Sequence, residues 1–151
     1  MIEWVGSIIQ GFLIGGLYAM FAAGLAIIFG VMRLVNITHG DLIVLAAFVA
    51  MVAIEITGMN PFVSLVIVLP FMFVFGYVLQ RVVLNFTLGD DLLPPLLVTF
   101  GISIILQNLL LELFSADSQR LKAGPIETLS IEVTEGLEIG VLPLVIFVVA
   151  I

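Results

Sequence analysis

The chain is 151 residues long, 63% of them hydrophobic and 10% charged, with a net charge of −7 and no cysteine. A soluble domain carries about 25% charged residues and needs a polar shell that this composition does not supply, so a soluble enzyme, a disordered chain and a disulfide scaffold are excluded. Four Lys and Arg against eleven Asp and Glu also exclude a basic nucleic-acid binder.

The apolar runs are long and do not alternate, unlike the short segments of about ten residues that build an outer-membrane barrel. The expected fold is therefore all-α, a polytopic transmembrane bundle of about five apolar segments. The first runs without charge from Ile8 to Met32, long enough to cross a bilayer with tilt to spare. The second, Leu42 to Ile54, is bounded by Asp41 and Glu55 and is short for a full crossing. The third covers Pro61 to Leu79, and the fourth Leu92 to Leu111, with Pro94-Pro95 at its opening and Glu112 at its end. The fifth begins near Ile139 and is still apolar at Ile151. A closed span ends in an interfacial anchor, so this open end is expected of a fragment of a longer chain more than of a last segment only partly inserted. Glu3 and the length of the first run argue against a cleavable signal.

The whole of 1–151 reads as a single transmembrane domain, with an acidic extramembrane loop at 115–138. In that loop Thr128 to Thr134 alternates polar and apolar residues, which fits a small hairpin. Arg33 and Arg81 fall on one side of the membrane and Arg120 and Lys122 on the other. Short loops follow the positive-inside rule more closely than long ones, so Arg33 and Arg81 are expected inside and the acidic loop outside.

Gly11, Gly15, Ala19, Ala23, Ala26 and Gly30 recur at three- and four-residue spacing. In lipid, such a stripe lets two helices approach closely, so these residues are expected to pack against a neighbour.

The segment from Arg33 to Asp41, RLVNITHGD, concentrates polar groups between two apolar runs. A metal site is not expected: one His and one Asp are too few ligands. A catalytic group is not expected either, because no nucleophile stands in a matching motif. Two readings stay open. The local residues favour an ordinary loop with Asp41 at the start of the next helix. The shortness of the second run favours a break in the helical path at membrane depth, with Asn36, Thr38 or His39 facing a wet cavity.

Two stretches carry a family resemblance. QGFLIGGLYAM from Gln10 to Met20, followed by GLAIIFGVMRLVNITHGD from Gly24 to Asp41, closely resembles the opening of the permease subunits of branched-chain amino-acid ABC importers, in particular the shorter, Liv H type. PLLVTFGISIILQN from Pro95 to Asn108 is similar to that family's second conserved run. The resemblance covers roughly 10–114. Candidate pathway residues are Asn36, Thr38, His39, Gly40 and Asp41 from the first motif and Thr99 and Gly101 from the second.

The resemblance implies a multi-pass inner-membrane permease that moves branched-chain amino acids or related small amino acids and amides. It implies a second permease subunit, two ATPase subunits that bind the ATP, and an extracytoplasmic substrate-binding protein as partners. It implies no cofactor and no enzymatic chemistry in this chain. Two other classes compete: a segment of an ion-coupled secondary transporter or channel, and a membrane assembly subunit with no pathway. An ion-coupled protein would place Asp, Glu or His inside its spans, whereas Glu55 and Glu112 stand at segment ends.

Overall fold

The structure is a computed structural model that describes residues 2–87, 89, 91–114, 130–134 and 137–150. Five helices follow in order: α1 Ile2–Met32, α2 His39–Thr57, α3 Pro61–Val82, α4 Leu93–Phe114 and α5 Val141–Ala150. Two short strands, β1 Ser130–Thr134 and β2 Leu137–Gly140, precede α5. Among the described residues, α1 to α4 are each long and apolar enough to cross a membrane. The chain divides into two compact units, Met1–Ala26 with Lys122–Ile151, and Ile27–Leu121.

In the second unit each helix ends where the local sequence stops it. The last turn of α1 closes through Arg33, whose N–H donates to the Phe29 carbonyl at 2.8 Å with φ at 55°. α2 ends at Gly58, which takes φ 66° while its N–H reaches the Ile54 carbonyl at 2.8 Å. The left-handed conformation there suits a residue with no Cβ. Asn60 caps α3, its Oδ1 accepting the Phe62 N–H at 3.1 Å, and Pro61 takes the first helical position where no N–H is required. Pro70 lies inside α3 and removes one ladder hydrogen bond. A single 3-10 turn, Leu84–Phe86, leads toward α4.

The second apolar run becomes a longer helix than its composition suggests. α2 begins at His39, takes in Gly40 and Asp41, and runs 19 residues. At 1.5 Å per residue that is about 28 Å, close to the thickness of a hydrocarbon core. α4, at 22 residues, is about 33 Å long.

The distribution of polar and apolar side chains is inverted relative to a soluble fold. Large apolar residues such as Ile56, Phe73 and Val66 face outward, while Asn36, Thr38, Ser64, Thr99 and Ser103 are buried. An apolar exterior of this extent is unfavourable in water and suits lipid. Small polar residues between helices are how spans associate where lipid and Leu are equally apolar.

In the first unit, the strands pair antiparallel with Ser130 opposite Gly140 and Ile131 opposite Ile139. The two strands of the hairpin expected in this stretch are thus present at 130–134 and 137–140; residues 115–129, 135 and 136 of the acidic loop lie outside the described residues. α1 meets α5 through Phe12 and Phe147, whose ring centres are 5.1 Å apart, and through Gly16. A Cβ added at Gly16 would stand 2.5 Å from Phe147 Cδ2, so any larger residue there would displace the Phe147 ring. The small stripe lies elsewhere on α1. Gly11, Gly15, Ala19, Ala23, Ala26 and Gly30 are all exposed, and a Cβ at Gly11, Gly15 or Gly30 would meet nothing within 4 Å.

Candidate functional site: a polar break lodged against α4

Between α1 and α2 the residues Arg33 to Thr38 are not helical. Their backbone polar groups must therefore find partners outside a helical ladder, and in lipid there is no water to provide them. The partners come from the segment itself and from α4. Asn36 Oδ1 accepts the Thr38 N–H at 3.0 Å, and the Asn36 carbonyl accepts the His39 N–H at 3.3 Å. Thr99 on α4 accepts the Ile37 N–H on its hydroxyl at 3.3 Å. The Thr38 hydroxyl donates to the Thr99 carbonyl at 2.6 Å. The single proton of the Thr99 hydroxyl has the Leu96 carbonyl at 3.1 Å as its nearer acceptor and the Val35 carbonyl at 3.5 Å as the farther. Leu34 packs beneath the segment at 1% exposure.

These contacts place the break along α4: Thr99 is six residues into that helix, about 9 Å from its start.

In the first turn of α2 the chain presents its most consequential group. The Asp41 carboxylate turns toward α4 rather than toward the α2 N-terminus. Its Oδ2 accepts the Ser103 hydroxyl, and its Oδ1 accepts the Gln107 side-chain amide at 3.0 Å. The same amide lies 3.1 Å from Ser103 Oγ. Ser103 and Gln107 stand about 15 and 21 Å along α4, so the carboxylate is held close to the midpoint of a spanning helix. By its place in sequence Asp41 marks the edge of an apolar run; in the fold it reaches the middle of the next-but-one helix. Acidic side chains within membrane-spanning segments face a bundle interior or a wet cavity, and Asp41 faces α4.

The sequence candidates therefore separate by position. Asn36 and Thr38 are buried, at 6% and 0% exposure, and Thr99 at 0%; Thr38 and Thr99 join the break to α4, while Asn36 holds the turn within the break. His39 is half-buried at the start of α2, and Gly40 is exposed with open space where a Cβ would stand. Gly101 is half-buried with no close neighbour to a built Cβ. Ser103 and Gln107 were not among the candidates. Their signal was present: Thr99, Ser103 and Gln107 recur every four residues, one polar line on a helix whose other polar residues are Asn108 and Glu112.

Arg33 shares a cavity of about 400 Å³ with Phe29, Gly89 and Leu92. The end of α1 and the connection from α3 to α4 therefore lie at the same end of the second unit. No group of three or more His, Cys, Asp or Glu that could hold a metal occurs among the described residues.

A span-rich chain with a polar break and a mid-helix carboxylate is what a permease requires, and comparison with known proteins decides the family. Residues 7–151 match the family described as the branched-chain amino acid transport system permease component. The chain belongs to that family. It is 28% identical over 131 residues to the high-affinity branched-chain amino acid transport system permease protein BraD of Pseudomonas aeruginosa, across 82% of this chain. That alignment takes in 42% of the relative, so the chain spans less than half the length of the curated protein it matches. No solved structure matches. With four spanning helices and this family, the chain is a multi-pass membrane protein of the permease type.

Proposed function

We propose that this chain forms part of the transmembrane pathway of an ATP-driven importer for branched-chain amino acids or related small amino acids and amides, in the inner membrane. The observation that carries the reading is the polar line Thr99, Ser103 and Gln107 on α4, which holds both the break and Asp41 in a chain of the permease family. In this reading a second permease subunit completes the pathway. Two ATPase subunits bind ATP and drive alternation, and an extracytoplasmic binding protein delivers the substrate. The permease makes and breaks no covalent bond. It offers weak polar contacts in sequence, so that a zwitterion enters and also leaves.

One observation favours a second reading. Ion-coupled transporters place carboxylates inside their spans, and Asp41 is such a group. Uptake of radiolabelled leucine by proteoliposomes carrying the full-length permease, its partner subunits and the binding protein separates the two. Uptake that requires ATP and survives a protonophore and a sodium ionophore supports the importer. Uptake that ignores ATP and collapses with the ionophores supports ion coupling, and the absence of uptake leaves a structural subunit.

A further inference from the structure

We propose that the groove between α2 and α4 is a station on the pathway for an aliphatic amino acid, which places its ammonium on the Asp41 carboxylate and its side chain against Phe48, Leu110 and Leu111. The proposal rests on the reading of the chain as an amino-acid permease.

The groove holds about 320 Å³ and is lined by Asp41, Val44, Phe48, Gln107, Leu110 and Leu111. That volume lies at the lower end of the range of about 300–1,000 Å³ for small-molecule sites. Its chemistry is polarised. Asp41 and Gln107 stand at one end, and the other four lining residues are apolar. A branched-chain amino acid has the same polarity, a compact cation at one end and a hydrocarbon at the other.

The acid is prepared to receive that cation. A carboxylate offers about four lone-pair positions. Ser103 occupies one on Oδ2 and Gln107 one on Oδ1. These two donors fix the orientation of the group and leave acceptor positions free. Asp41 is half-buried rather than enclosed, and among the described residues no basic side chain lines the groove to neutralise it. An ammonium brings three donors and the missing charge, and charge-assisted bonds of this kind are the strong ones.

The donor set also argues against a metal cation as the occupant. Ser103 and Gln107 direct a hydroxyl proton and an amide N–H at the acid, whereas Ca²⁺ or Mg²⁺ requires six or more oxygens turned inward. A second cavity of about 460 Å³ shares Phe48 and Leu110 with the groove and is lined almost wholly by apolar side chains. It continues the hydrocarbon wall beyond the reach of Asp41, where a branched side chain finds room.

The test uses the full-length permease assembled with its partner subunits in membrane vesicles. Val44 is exposed on the rim of the groove. Val44→Cys is treated with a cationic and an anionic methanethiosulfonate of similar size. Cys at this position should react from water. The cationic reagent should be favoured several-fold, and Asp41→Asn should abolish that preference. Leucine at saturating concentration on both faces should slow the reaction at least threefold, and 4-methylpentanoate, which lacks the ammonium, should not. Leu111→Cys repeats the measurement from the α4 side if Val44→Cys does not assemble. Absence of reaction at both positions places the groove against lipid or protein and overturns the proposal. So does reaction with no charge preference, or equal protection by leucine and 4-methylpentanoate. Leucine uptake by the unmutated transporter is measured in the same vesicles. Uptake without protection removes the station and leaves the permease reading intact, whereas no uptake removes the reading itself.

Discussion

Thr38 and Thr99 hold each other across 61 positions of sequence: the Thr38 hydroxyl donates to the Thr99 carbonyl at 2.6 Å, and both residues are wholly buried. The two sides of this clasp are not equivalent. Thr99 also accepts the Ile37 N–H, which belongs to a segment with no helical ladder of its own. The Thr99 carbonyl, by contrast, belongs to α4.

Thr99→Val should accordingly destabilise the permease more than Thr38→Val. The first leaves a backbone donor unpaired where no water replaces the acceptor, at about 1–3 kcal/mol. The second removes one interhelical hydrogen bond, which averages about 0.6 kcal/mol in membrane proteins. Reversible unfolding of the full-length permease in mixed micelles measures the difference. Equal losses would show that the Ile37 N–H has another acceptor.

Two left-handed residues give an opposed pair of expectations. Gly58 has φ 66° and Arg33 has φ 55°. A side chain in this region costs about 1–2 kcal/mol, so Gly58→Ala should destabilise by about 1 kcal/mol. Arg33→Gly should be neutral or stabilising by up to about 1 kcal/mol, since glycine is favoured just beyond a helix end. The same unfolding assay reads both, and a large loss for Arg33→Gly would mean that its contacts around the 400 Å³ cavity outweigh the backbone term.

On α1, Gly16 and Ala23 should respond differently to enlargement. Gly16→Leu puts a side chain where even a Cβ would stand 2.5 Å from Phe147, and should lower the stability of the permease itself. Ala23 is exposed. Ala23→Leu should leave that stability unchanged and reduce co-purification with the second permease subunit, because a small stripe serves close helix approach. Unchanged co-purification would remove the stripe as an assembly face.

The ends of α4 provide a test of sidedness. Arg81 precedes α4 and Ser130 follows it. With Arg33 and Arg81 on the cytoplasmic side, Ser130→Cys should be labelled by an impermeant maleimide in intact cells, and Arg81→Cys only after permeabilisation. The reverse pattern would invert the topology.

Most of the fold was legible because the bilayer sets a single length scale. The runs Pro61 to Leu79 and Leu92 to Leu111 became α3 and α4 with shifts of a few residues at their ends. The second run was harder to read, because hydropathy stops at Asp41 while α2 takes in His39, Gly40 and Asp41. Those residues are helical because α4 receives Asp41, and no local pattern announces a partner 62 to 66 positions away. The polar spacing on α4 indicated a face, and the fold was required to show what that face meets. The polar cluster from Asn36 to Asp41 and the short second run left a loop and a helix break both open, and the structure shows Arg33 to Thr38 non-helical. The attachment of that segment through Thr99 was not legible, since a threonine on a helix is equally suited to bonding its own helix, as Thr99 also does with Leu96.

The distance in sequence between Asp41 and Gln107 has a consequence for synthesis. When α2 leaves the ribosome and meets the insertion machinery, it carries an acid whose two donors do not yet exist. They are 62 and 66 residues further on. At roughly 5–20 residues per second, the acid waits about 3 to 13 seconds for them. Helix α2 is apolar enough to enter the membrane on its own, so it does so with its acid lacking both side-chain donors. The arrival of α4 supplies Ser103 and Gln107 together, and the pairing of the two helices is therefore an event that follows the insertion of each.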